Sequence, residues 1–109
     1  PELISGVGIN RLAMHFHDTR GMALTNILVA LESGVRIFDS SAGGLGGCPY
    51  ARGATGNVAT EDVVYLCESL GIKTSIDMKK LVEASSFMLG KIGRASESKY
   101  LKAFLASGK

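Results

Sequence analysis

Two short apolar segments, Leu12–His17 and Val35–Asp39, bracket a stretch of helix length, and this spacing constrains the fold more than any other feature. Leu12–His17 is mostly apolar and is flanked by Arg11 and by the polar run Asp18–Gly21, which predicts a buried strand running into a loop. From about Met22 to Ser33, residues Leu24, Ile27, Leu28 and Leu31 recur at the i, i+3, i+4, i+7 spacing of a helix with one apolar face, and Gly34 is its natural stop. Val35–Asp39 reads as a second strand that ends in Ser40 and Ser41. Strand, helix and strand at this length predict a right-handed βαβ unit with parallel strands.

The segment from Gly43 to Gly56 follows the second strand and holds six of the fourteen glycines but a single charge, Arg52. A linker would be Gly/Ser-rich or charged, whereas this segment carries Leu45, Cys48, Pro49 and Tyr50, which predicts a loop folded against a ligand. Beyond it, Thr60 suits a helix N-cap, with Glu61 and Asp62 in a first turn whose dipole favours negative charge and Gly71 as the stop. Asp77 suits the cap of a further helix, with Leu81, Ala84, Met88 and Ile92 on one face. A last helix is expected over Lys99–Ala106, packing through Tyr100, Leu101, Phe104 and Leu105.

Parallel strands occur in sheets covered on both faces and flanked at both edges, so two of them predict a piece of a larger sheet. Functional loops at the C-terminal ends of parallel strands belong to open α/β sheets or to (β/α)8 barrels, and a barrel typically needs ~250 residues. The 109 residues read as α/β, the C-terminal part of a (β/α)8 TIM barrel: its last two βα units plus C-terminal helices, with an active-site loop at about 43–57.

Composition narrows the function. Twelve Lys+Arg against ten Asp+Glu, scattered along the chain, give no basic patch for nucleic acid or an anionic membrane. The longest apolar run, Ile27–Leu31, is far short of the ~18 to 20 residues of a membrane span. Cys48 and Cys67 are too few for a disulfide scaffold and lie outside zinc-pair spacings, which points to a reducing compartment. No targeting signal is legible.

His15 and His17, the only histidines, sit at i and i+2 near the end of a strand, so both rings face one side with Cα atoms about 6 to 7 Å apart. Two imidazoles so placed can share a metal; the alternative is one packed and one exposed histidine. Cys48, in a glycine-rich loop able to bend over a site, is a candidate acid or base if a nearby cation lowers its pKa. Cys67 shares a helix face with Val63, Val64 and Leu70 and reads as core. Asn57 either closes a turn or offers an amide oxygen as a third ligand. Asp18 either holds a histidine ring N–H or caps the following helix. Glu61 is a first-turn residue or a brace for the Asn57 turn.

The run His15-Phe16-His17-Asp18-Thr19-Arg20-Gly21, with the run from Phe38 through Gly43-Gly44-Leu45-Gly46-Gly47-Cys48-Pro49-Tyr50 and Thr55-Gly56-Asn57 to Tyr65, resembles the 3-hydroxy-3-methylglutaryl-CoA lyase family over about Leu12 to Leu81. The histidine motif is shared with biotin-dependent carboxyltransferases and with isopropylmalate and homocitrate synthases; the loop around Cys48 is far more specific. The resemblance implies retro-Claisen cleavage of 3-hydroxy-3-methylglutaryl-CoA to acetoacetate and acetyl-CoA with a divalent cation, Mg2+ or Mn2+. It further implies that His15, His17 and Asn57 ligate the metal and that Cys48 transfers a proton to the product carbon. Arg20 stands where the family often has Tyr, and Ala42-Gly43 where some members have Val-Ala. The family's Asp ligand and catalytic Arg belong to the first barrel strand, outside these residues, so the stretch alone is expected to be inactive. The implied full-length enzyme is a homo-oligomer, a dimer, in the cytoplasm if bacterial and in the mitochondrial matrix if eukaryotic. The competing expectations are an acyl-CoA condensing enzyme or carboxyltransferase of the same superfamily, and a non-catalytic half barrel that pairs with another chain.

Overall fold

The computed structural model describes residues 8–45, 56–93 and 95–107. After a 3-10 turn at Ile9–Arg11 come β1 (Ala13–His15), α1 (Ala23–Glu32), β2 (Ile37–Asp39), a second 3-10 turn at Ala42–Gly44, then α2 (Thr60–Ser69), α3 (Met78–Ile92) and α4 (Lys99–Ala106). The two strands are parallel, in the register Ala13 to Ile37, Met14 to Phe38 and His15 to Asp39. The expected strand, helix and strand are therefore present, although regular pairing covers only three residues of each strand.

Exposure alternates along the first strand: Ala13, His15 and His17 are exposed, while Leu12, Met14 and Phe16 are partly covered. A buried strand was expected; among the described residues one face of the sheet is exposed, and it carries the histidines. The other face packs on helices through Phe16 and Phe38, which join a core of Ala23, Ile27, Val58, Val63 and Cys67. Helix α1 enters this core with Ala23, Ile27 and Ala30; of the expected stripe only Ile27 is fully buried, while Leu24 and Leu31 pack partly buried against it. Cys67 is buried as expected, whereas Leu70, assigned to the same face, is about half exposed.

Residues 56–60 return across the ends of both strands. The Val58 N–H donates to the Phe16 carbonyl at 3.0 Å, and the Ser41 N–H donates to the Val58 carbonyl at 3.0 Å. The Thr60 N–H donates to the Ser41 carbonyl at 2.9 Å. Both limbs of the glycine-rich loop are thus tied to each other and to the strand ends. Thr60 is not the N-cap of α2: that position is Ala59, and the Thr60 hydroxyl pairs with the Ser40 hydroxyl at 2.7 Å.

Asp77 caps α3 as expected, accepting from the Lys80 N–H at 3.2 Å. The buried face of α3 differs from the one expected. Val82, Ser85 and Leu89 point inward, while Met88 and Ile92 are nearly half exposed. The reason is polar: the Ser85 hydroxyl donates to the buried Glu61 carboxylate at 2.8 Å, which rotates the helix so that a serine lies mid-stripe. Val82 and Leu89 meet Leu101 of α4 in a second core, edged by Leu45, Met78, Tyr100 and Phe104. Leu105, expected to join it, is half exposed.

Candidate functional site

The open face of the sheet gathers three polar side chains at the C-terminal ends of the strands. His15 and His17 lean together, with Nε2 atoms 3.4 Å apart and ring planes at 70°. Asp39, across the register from His15, places Oδ2 3.8 Å from His15 Nδ1. Asp39 was not singled out from the sequence, since a carboxylate ending a strand looks like solvent-facing punctuation until the register is known.

Asn57 forms an antiparallel bridge with His17. The flanking hydrogen bonds run from Val58 to Phe16 and from Asp18 to Gly56, so His17 and Asn57 are a non-hydrogen-bonded pair, the arrangement that brings side chains on a common face closest. Asn57 thus lies directly across from His17, and His15 lies two residues before His17 on the same strand face. The donor set suits a divalent cation: two convergent imidazole nitrogens and an amide residue directly across. Among the described residues no group of three His, Cys, Asp or Glu is arranged to hold a metal, so a cation here would need further oxygen donors. Cys48 lies outside the described residues.

Asp18 resolves toward capping: its Oδ1 accepts from the Ala23 N–H at 3.2 Å, which braces the turn into α1. A polar cavity of about 260 Å³ adjoins it, lined by Asp18, Thr19, Asn57, Glu97, Lys99 and Lys102 among others. A larger hollow of about 490 Å³, between Leu24, Tyr65, Tyr100 and Phe104, belongs to the outer helix layer and includes neither histidine.

Two carboxylates in the first turn of α2 hold the surroundings of this face. Glu61 is fully buried and accepts from the Gly43 N–H with both oxygens, at 3.0 and 2.9 Å, as well as from Ser85. It braces the turn at Ala42–Gly44 rather than the one at Asn57. Asp62 accepts from the Ser98 hydroxyl at 2.8 Å and from the N–H groups of Lys99 and Tyr100 at 3.3 and 2.9 Å, capping α4 from a distant part of the chain. The Glu97 N–H in turn donates to the Gly43 carbonyl at 3.1 Å. Gly43 and Gly44 both have positive φ, 66° and 74°, and a side chain on Gly44 would lie 2.8 Å from Glu97 Cβ. This close crossing requires glycine. Burial, and secondarily the Glu68 charge, push the Cys67 thiol above its ordinary pKa, so it stays protonated inside the core.

Comparison with known proteins places this geometry. The HMGL-like family profile matches residues 4–88. The chain is 49% identical over 105 residues to hydroxymethylglutaryl-CoA lyase YngG of Bacillus subtilis, covering 96% of the chain and 35% of that protein. It is 57% identical over 93 residues to the mitochondrial hydroxymethylglutaryl-CoA lyase of Arabidopsis thaliana, covering 85% of the chain and 20% of that protein. A solved HMG-CoA lyase from Acinetobacter baumannii, in complex with coenzyme A and 3-methylmalate, superposes with a TM-score of 0.86 at 46% identity, over 94% of this chain and 33% of that one. The chain thus spans between a fifth and about a third of the length of these proteins. Its sheet and covering helices are part of an α/β barrel, and the chain belongs to the HMGL-like family, whose lyases it matches at about half of its aligned positions.

Proposed function

We propose that this chain supplies the last two βα units and the active-site loop, residues 43–57, of a barrel that cleaves 3-hydroxy-3-methylglutaryl-CoA to acetoacetate and acetyl-CoA. The observation that carries this reading is the pair of Nε2 atoms 3.4 Å apart on the open face of the sheet, with Asn57 paired across from His17.

His15, His17 and Asn57 would hold a divalent cation, Mg2+ or Mn2+. When bound, such an ion supplies Lewis acidity at the C3 oxygen of the substrate and at the ketone that develops there. The cleavage needs a base to take the C3 hydroxyl proton. The C2–C3 bond then breaks, its electron pair passes into the enolate of acetyl-CoA, and an acid delivers a proton to that carbon. Cys48 is assigned this last delivery, because the loop that carries it has both limbs tied at the strand ends beside the histidines. The Glu61 and Glu97 contacts to Gly43 fix the point from which the loop departs. The remaining oxygen ligand and the base come from elsewhere in the barrel. The assembled enzyme is read as a homodimer, cytoplasmic in a bacterium and mitochondrial in a eukaryote.

The test is Cys48→Ser in the protein with its complete barrel. Turnover is expected to fall by about 10²-fold or more, the scale of a positioned acid or base, with cation affinity unchanged. Undiminished turnover removes Cys48 from the mechanism.

A further inference from the structure

The His15 ring stands between two different neighbours. On one side Asp39 Oδ2 lies 3.8 Å from Nδ1, and on the other the His17 Nε2 lies 3.4 Å from Nε2. The contact with Asp39 is built into the sheet, because His15 and Asp39 are register partners on neighbouring strands. The asymmetry matters because a neutral imidazole carries one proton for two nitrogens, and only the nitrogen without it has a lone pair to offer.

We infer that Asp39 is a positioning residue that fixes His15 as the Nδ1–H tautomer, leaving its Nε2 lone pair directed to the side shared with His17. This rests on the reading of His15 and His17 as cation ligands. A carboxylate favours the proton on the nearer ring nitrogen, which is Nδ1. The separation of 3.8 Å is longer than a hydrogen bond, so the carboxylate acts on the Nδ1 side as a nearby negative charge. Approach from the Nδ1 side also makes Asp39 an outer partner of the ring and not a third ligand beside the two Nε2 atoms.

The Nε2 pair is compatible with the same assignment. At 3.4 Å one ring must donate to the other, because two bare lone pairs would repel. With the His15 proton held at Nδ1 by Asp39, the shared proton sits on His17 Nε2. A cation entering between the rings then requires only that the His17 proton move to its own Nδ1. Without Asp39 the shared proton can sit on His15 Nε2 instead, and His15 is then the ring that must be reset before it can serve as a ligand.

The test is nitrogen-15 NMR of labelled histidine in the cation-free protein with its complete barrel, at a pH above the imidazole titration, together with titration by Mn2+. In the unaltered protein His15 is expected as Nδ1–H. In Asp39→Ala it shifts toward Nε2–H, and the Mn2+ dissociation constant rises by about 10- to 100-fold, as for other outer partners of metal-binding histidines. Within this part of the barrel Asp39 is 66% exposed, so the truncation removes no packing among these residues. Asp39→Glu, which keeps the carboxylate, is expected to recover the Nδ1–H signal. An unchanged tautomer with unchanged Mn2+ affinity in Asp39→Ala overturns the inference and leaves the cation reading standing. Failure of the unaltered protein to bind Mn2+ removes the cation reading instead, and the tautomer comparison still decides whether Asp39 sets the ring.

Discussion

Both oxygens of the buried Glu61 carboxylate accept from the single N–H of Gly43, eighteen residues away. A second donor, the Ser85 hydroxyl, completes the arrangement. Burying a carboxylate is costly unless donors surround it, and here the 3-10 turn after β2 and helix α3 supply them. Glu61→Ala leaves the Gly43 N–H and the Ser85 hydroxyl unsatisfied in the interior and opens a void. The expected loss is about 3 kcal/mol, the range for a broken buried charged network. Urea unfolding of the complete protein reads it directly. A loss below about 0.5 kcal/mol, the level of an ordinary surface change, would contradict this role.

Gly44 tests the crossing of the loop stem with the segment before α4. Gly44→Ala places a methyl 2.8 Å from Glu97 Cβ at a φ of 74°. The expected cost is about 2 kcal/mol. Gly71→Ala is the control: φ is 78° but nothing lies within 4 Å, so only the backbone penalty of about 1 kcal/mol applies. Equal effects at the two positions would show that the Glu97 contact adds nothing.

The helices, the parallel strand pair and the histidine pair were legible because each is a local pattern: apolar spacing, a cap such as Asp77, two histidines on one strand face. What stayed hidden depends on partners distant in sequence. Glu61 and Asp62 look like ordinary first-turn acids, yet their donors lie 18 to 38 residues away. The inward face of α3 departs from its apolar spacing for the same reason, since its central residue, Ser85, is polar and donates to the buried Glu61. Asp39 became part of the site only once the strand register placed it beside His15.

The histidine pair makes a direct claim about ion binding. His15→Ala and His17→Ala are each expected to weaken Mn2+ binding by at least about 100-fold, beyond the 10- to 100-fold typical of outer partners. Isothermal titration of the complete protein measures this. Near-unchanged affinity in either variant takes that residue off the ligand set.

Cys67 sets an alkaline limit. Its thiol pKa is raised in the folded state, chiefly by burial and then by the Glu68 charge, so the unfolded chain loses this proton first. The associated stability is complete below the unfolded value, about pH 8.5, and is lost as pH rises from there toward the folded value. Cys67→Ala is expected to be less stable at neutral pH, from lost packing, but to show a shallower decline above about pH 8.5. An unchanged alkaline slope in urea midpoints would reject this coupling.

The most direct measurement is acetoacetate release from 3-hydroxy-3-methylglutaryl-CoA by the protein with its complete barrel, assayed with Mg2+ and again with chelator. Release with Mg2+ that vanishes on chelation and returns on adding the ion back is the expected result. No release in either condition, or release indifferent to chelator, would contradict cation-dependent carbon–carbon cleavage at the His15, His17 and Asn57 face.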